Sequence, residues 1–247
     1  MREKTTDRKP LIHCITNPIA MNQSANAVLA LGARPMMAEH PMEVAEITET
    51  AGGLLLNFGN ISDVRMESMK ISMAVANKCG IPVVIDVCGV ACSRLRVQLF
   101  EDLMRENKAT VIKGNYSEIL ALFDRGFRSS GVDAAEGISI DDIKRAAQAL
   151  ANKYDSMVLA TGAVDILADI NQEVCIAGGT AQMSTVTGTG CMLGAMVATF
   201  LAFDNSMEAV EKCVRFFNEC GEKSETVKGG GTFMANLIDS IGEYDGF

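Results

Sequence analysis

Apolar and polar positions alternate along this chain in two different rhythms. Gly53 to Phe58 (with Leu54, Leu55 and Leu56), Ile81 to Val87, Ala109 to Ile112 and Met157 to Ala160 are apolar runs too short for helices. Each ends in a glycine beside a polar residue, which predicts a buried strand feeding a turn. Amphipathic stretches with start and stop signals lie between them. Ser62 can cap a helix to Cys79 closed by Gly80, a second helix covers Ser93 to Arg105, and Ser139 caps a third to Tyr154. Asn115 and Glu118 have the spacing of a variant capping box at the start of another. Upstream, Asn22 to Leu31 reads as a short helix stopped by Gly32, Arg34 to Ala38 as an edge strand, and Pro41 as the first turn of a helix through Thr50. Downstream, Val164 to Asp169 and Glu173 to Ala177 read as a hairpin around Ile170-Asn171-Gln172. Three helices close the chain: Gly190 to Phe203, Ser206 to about Cys220, and Ser224 to Ile241 around Gly229-Gly230-Gly231. Strands alternating with helices predict an α/β protein, a three-layer α/β/α domain with a mainly parallel central sheet. No repeat or linker interrupts the pattern, so residues 1–247 read as a single domain.

The polar residues at the strand ends are Asn57 and Asn60, Asp86, Lys113 and Asn115, and Thr161. Such residues are also ordinary turn formers. Ligands of open α/β sheets bind outside the carboxyl ends of the strands, however, and four such ends in succession predict one crevice. A second candidate is Ser184 to Gly194, where Gly188 and Gly190 allow a tight turn just before the apolar run Ala195 to Phe203. Gly188 to Cys191 then fall at a helix start, whose unpaired N–H groups and dipole favour a phosphate. The same potential favours a thiolate at Cys191; the competing reading makes Cys191 a small buried hydrophobe.

Net charge is −9, from 22 basic and 31 acidic residues without a basic block, which argues against nucleic acid or an anionic membrane as partner. The charged start, Met1 to Lys9, lacks the apolar segment of a signal peptide, and no apolar run is long enough to span a bilayer. A soluble cytoplasmic protein is expected. Eight cysteines lie mostly inside apolar segments, so reduced thiols are expected; no C-x-x-C occurs and the two histidines are far apart, so no structural metal is expected.

Several chemistries are excluded by what is missing. No Gly-Lys pair exists for a Walker A loop. Gly188-Thr189-Gly190 with Gly194 opens no βαβ unit of the dinucleotide-binding kind. A cysteine phosphatase loop would need arginine where Val197 stands, and a nucleophile elbow would need glycines where Thr189 and Leu193 stand. Phosphoryl transfer at a helix N-terminus, with carboxylates holding a metal and a nearby side chain taking the alcohol proton, remains.

The runs His13-Cys14-Ile15-Thr16-Asn17, Ala27 to Ala33, Lys113-Gly114-Asn115 with Glu118, Ala160 to Asp165, and Thr187 to Gly194 together resemble hydroxyethylthiazole kinase, of the ribokinase-like superfamily, in order and over nearly the whole chain. The resemblance implies ATP- and magnesium-dependent phosphorylation of the thiazole precursor of thiamine. It further implies that Asn17 and Met37 contact the thiazole, with Gly188 closing near its hydroxyl. Lys113, Asn115 and Thr161 would contact ATP, and Asp86 and Glu118 would hold magnesium. Cys191 would stand where most of the superfamily carries an aspartate base, beside Thr189 and Gly190 of the anion hole. Homotrimers with substrate pockets between subunits are also implied. The chain departs from the family at Lys113, where arginine is common, and at Val87, where proline usually follows the aspartate. Those changes predict a point-charge grip on phosphate and a less rigid turn. The alternatives are a sibling kinase for another small alcohol and a non-catalytic nucleotide-binding regulator.

Overall fold

The computed structural model describes residues 9–124, 126–127 and 139–246; most of the charged start lies outside them. Strands β1 (Leu11–Ile15), β2 (Arg34–Met36), β3 (Gly53–Asn57), β4 (Val83–Asp86), β5 (Val111–Asn115), β6 (Met157–Thr161), β7 (Val164–Ala168) and β8 (Glu173–Ala177) form one sheet. Their order is β2-β1-β3-β4-β5-β6-β7-β8. The first six are parallel, and β7 and β8 extend the sheet as the antiparallel hairpin the sequence predicts.

Helices α1 (Met21–Ala30), α2 (Val44–Glu49), α3 (Asp63–Cys79), α4 (Arg94–Glu106), α5 (Tyr116–Phe123), α6 (Ile140–Tyr154), α7 (Thr189–Phe203), α8 (Met207–Lys223) and α9 (Gly230–Ile241) cover both faces. One core joins the sheet to α1, α7, α8 and α9; the other joins it to α2 through α6. That division follows from chain direction. From β1 the chain steps outward to β2 and then back past β1 to β3, and right-handed crossovers put the helices of opposite steps on opposite faces. Among the described residues, no helix is long and apolar enough to cross a membrane.

The expectation leaves Leu11–Ile15 without an element, yet it is β1, paired on both sides and second from the β2 edge of the sheet. Its polar His13 breaks the apolar run, and the fold absorbs it: Nδ1 meets the Thr48 hydroxyl at 2.8 Å and Nε2 the Ala38 carbonyl at 3.0 Å. Two helix starts also differ. Pro41 to Glu43 form turns before α2 begins at Val44, and α9 begins at Gly230 with Gly229 at φ +107° as its cap, so the helix expected from Ser224 starts only at the glycines, with Gly230 and Gly231 in its first turn.

Helix α7 lies against β1, β3 and β4 with α1 and α8 beside it, and Met192 to Ala202 are buried on every side. Small residues set that contact. A Cβ on Gly53 would stand 2.5 Å from the Ala198 carbonyl oxygen, and one on Gly194 would stand 3.1 Å from Leu55. Close approach brings the first turn of α7 over the carboxyl ends of β3 and β4.

Candidate active site

Alternation along the strands decides which polar ends meet α7. Leu55, Val84 and Val111 face its core, so two residues further on Asn57, Asp86 and Lys113 face the same way. Register aligns them, Asn57 opposite Asp86 and Asp86 opposite Lys113. The Lys113 ammonium donates to Asp86 Oδ2 at 3.0 Å, and both side chains are about 4% exposed. The Asn57 amide reaches the same oxygen at 3.4 Å. Burial pulls the Lys113 ammonium down, but the Asp86 carboxylate, with Cys191 and Glu118 near it, outweighs burial and the net shift is upward. Lys113 therefore stays charged while pointing at a cavity.

The row continues across the gap between β1 and β3, where the chain reverses direction along the sheet. Asn17, just past β1, donates to Asn57 Oδ1 at 3.1 Å and to Cys191 Sγ at 3.5 Å, while its own Oδ1 accepts the Ala20 N–H at 3.1 Å. Both Asn17 N–H bonds are thereby committed, leaving only carbonyl capacity for a ligand. Gly59 closes this corner: a Cβ there would stand 2.4 Å from the Asn17 amide nitrogen.

Above the row, Gly188 takes φ +95° and caps α7 without a side-chain bond. Met192 N–H is the first to find a helical partner, on the Gly188 carbonyl at 2.9 Å, so the N–H groups of Thr189, Gly190 and Cys191 precede the ladder. Thr189 turns its hydroxyl inward to the Met183 carbonyl at 2.9 Å, pinning the glycine loop. A Cβ on Gly190 would stand 3.7 Å from the Lys113 Nζ, so the glycine keeps open the space between the helix start and the ammonium. An anion seated there meets N–H groups, a helix dipole and a buried cation together.

Burial and then Asp86 push the Cys191 thiol up, against Lys113 and the two asparagine amides. The thiolate expected from the helix potential is overridden by desolvation, and Cys191 rests as a thiol. Glu118 is buried and divided between two loops: Oε2 accepts the Asn115 N–H at 2.7 Å, completing a capping box, and Oε1 accepts the Gly89 N–H at 2.7 Å. Burial, then the Asp86 charge, pushes its carboxyl up to about 7.

These groups line a cavity of about 590 Å³. A second cavity, about 570 Å³, opens on the far side of the glycine loop and shares Thr161, Met183, Ser184, Thr189 and Gly190 with the first. One anion seat thus serves two adjoining chambers.

The model of the hydroxyethylthiazole kinase family matches residues 3–245. The chain belongs to that family. Hydroxyethylthiazole kinase 1 of Clostridium botulinum (strain Loch Maree / Type A3) is 41% identical, the match covering 98% of this chain and 93% of the relative. The solved hydroxyethylthiazole kinase from Pyrococcus horikoshii OT3 superposes with a TM-score of 0.87 at 31% identity, over 97% of this chain and 90% of that one. Staphylococcus aureus pyridoxal kinase in complex with ADP, at 17% identity, shares the fold with a TM-score of 0.69 over 90% of this chain and 91% of its own.

Of the residues the family resemblance singles out, Asn17, Asp86, Lys113, Asn115, Glu118, Thr161, Gly188, Thr189, Gly190 and Cys191 all line the first cavity. Met37 does not; it lies just beyond edge strand β2, packed against the α7 core. Asn60, expected in the crevice, is exposed and uses its carbonyl to hold Arg65 at 2.8 Å. Val87 also departs from expectation. Its N–H bonds the Lys113 carbonyl at 2.8 Å, a tie that a proline cannot make, so the turn after Asp86 is anchored by a hydrogen bond in place of a ring. Sequence reasoning gave no role to Asp165 of β7 or Asn218 of α8, which meet on the wall of the second cavity.

Proposed function

We propose that this chain, as one ribokinase-like kinase domain over residues 1–247, transfers the γ-phosphoryl group of ATP to the hydroxyethyl group of 4-methyl-5-(2-hydroxyethyl)thiazole, a thiamine salvage step. The observation that carries this reading is the open start of α7, whose Thr189 and Gly190 line both chambers, facing the buried Lys113–Asp86 pair on the wall of the first. The nucleotide lies in the second cavity with its phosphates at Thr161 and the glycine loop, and the alcohol enters from the first, past Asn17 and Gly188.

The chain's own groups divide the work. The N–H groups of Thr189 to Cys191 and the Lys113 ammonium hold the migrating phosphoryl group, and donors aimed at developing charge are worth roughly 10²–10³ in rate each. Asn17 holds Cys191 beside the seat; the neutral thiol takes no proton, so the alcohol proton leaves late, to an oxygen of the transferred phosphoryl group or to water. Asn115 caps α5 and holds the turn that carries Thr161's neighbour strand in register. Asp86 and Glu118 are hard oxygen donors suited to magnesium, and among the described residues no group of three potential ligands forms a closed cage. Two carboxylates completed by phosphates and water are the usual magnesium arrangement. When bound, the ion neutralises the phosphate charge.

Met37 lies off its own cavity, which fits a homotrimer in which a neighbouring subunit completes the pocket. Free thiols throughout and a net charge of −9 support a cytoplasmic enzyme without nucleic-acid or membrane partners. The test is ADP release by the purified protein with ATP, magnesium and a panel of small alcohols. The thiazole alcohol should give the highest kcat/KM. A different best alcohol makes it a sibling kinase, and no alcohol-dependent turnover makes it a nucleotide-binding regulator; either result overturns the reading.

A further inference from the structure

The second cavity contains a polar pair that the phosphate chemistry does not use. Asp165, on β7, is 7% exposed; its Oδ1 accepts the Gly162 N–H at 3.1 Å and its Oδ2 accepts from Asn218 Nδ2 of α8 at 3.0 Å. A carboxylate only accepts, so this contact fixes which way the Asn218 amide faces. Nitrogen must turn to Asp165, and the carbonyl Oδ1 must turn away from it. That oxygen lies beside Gly179, where a Cβ would stand 3.4 Å from it, and among the described residues the Asn218 side chain bonds nothing but Asp165. Both residues are on the cavity wall.

The surroundings suit a flat aromatic ring. Phe217, Leu193 and Met183 supply apolar surface, and Gly178 and Gly179, at φ +132° and +83°, offer bare backbone. The loop is locked to α8 one turn beyond Asn218, where Glu222 accepts the Gly179 N–H at 2.9 Å. A buried acceptor of fixed polarity beside an apolar slot discriminates rings by what they carry at one edge, because an acceptor facing an acceptor leaves both unpaired.

We infer that Asn218, aimed by Asp165, is the specificity-determining residue for the nucleotide, selecting a purine with a 6-amino group over one with a 6-oxo group. Asn218 is the contact and Asp165 the positioning residue. This deepens the proposed function and rests on it for the location of ATP.

The test compares ATP with inosine triphosphate as phosphoryl donors, and ADP with inosine diphosphate in calorimetric titrations, for the wild type, Asn218→Ala and Asp165→Asn. The wild type should favour the adenine form by about tenfold or more in both assays. Asn218→Ala should narrow that ratio to about twofold. Asp165→Asn is isosteric and can donate, which frees the Asn218 amide to rotate and present its nitrogen, so the ratio should fall furthest or invert there. A merely structural role would weaken both nucleotides equally. An unchanged ratio in both variants overturns the inference. If the wild type turns over no thiazole alcohol but its ADP preference still depends on Asn218, the proposed function falls and the base contact stands; turnover with an Asn218-independent ratio gives the reverse.

Discussion

At Cys191 the sulfur accepts an amide hydrogen from Asn17, rests as a thiol, and belongs to the last of the three residues whose N–H groups would carry the phosphoryl charge. Phosphoryl transfer leaves the alcohol proton in place until late, and a neutral thiol accepts none, so Cys191 contributes by position and not as a base. Cys191→Ala should slow kcat by no more than about 10² without abolishing it, and Cys191→Asp should stay active. Because burial raises the thiol above its usual range, the wild-type rate profile between pH 6 and 8 should keep its shape in Cys191→Ala. An inflection lost with the cysteine would put a thiolate back in the mechanism. Gly190→Val should be worse than either, by about 10³ or more, since its side chain grows into the space before Lys113 that the phosphate needs. His13 gives a prediction of another kind. Burial lowers its pKa from 6.5, so below about 6.5 the unfolded chain binds the extra proton and the folded chain does not. Stability from His13 is complete above that pH and is lost as pH falls. The melting-temperature difference between wild type and His13→Gln should shrink from pH 7.5 to 5.5; a constant difference would mean that His13 titrates alike in both states.

Elements read well from sequence where capping chemistry is local. Ser62, Ser139 and Asn115 each accept a backbone N–H at the start of a helix as their spacing suggests, and Ser93 and Ser206, read only as the first residues of their helices, do the same. Reading failed where tertiary contacts decide. Strand β1 hides behind His13, whose partners Thr48 and Ala38 are distant in sequence, and nothing local says that an imidazole there will be satisfied. The polar strand ends were legible as a group because each sits beside a glycine. Their mutual geometry was not, since the row Asn57, Asp86, Lys113 depends on register, and the Asp165–Asn218 contact joins residues 53 apart. Packing of α7 on β3 makes an element-level prediction. Gly53→Ala drives a methyl against the Ala198 carbonyl and should destabilise the protein by about 1–3 kcal/mol in denaturant unfolding, whereas Gly32→Ala, with open space around it, should cost only what its positive φ imposes.

Across the whole molecule, the outward-then-back path of the chain opens the gap between β1 and β3, and the small-residue contact of α7 delivers a helix start to that gap. Residue identities follow from this arrangement more than from any single motif, which is why Met37 stands apart. If a neighbouring subunit completes the pocket, sedimentation should give a three-chain species, and Met37→Ala should raise KM for the thiazole alcohol severalfold while leaving KM for ATP nearly unchanged. A rise in the ATP value instead would tie Met37 to the nucleotide. The central claim is direct transfer of the γ-phosphoryl group across the seat between Gly190 and Lys113. It is tested most directly by the stereochemistry of the product made from ATP chirally labelled with oxygen isotopes at the γ-phosphorus. A single in-line displacement predicts thiazole phosphate with inverted configuration. Retention would require two displacements, as through a phosphorylated Cys191, and would contradict the account.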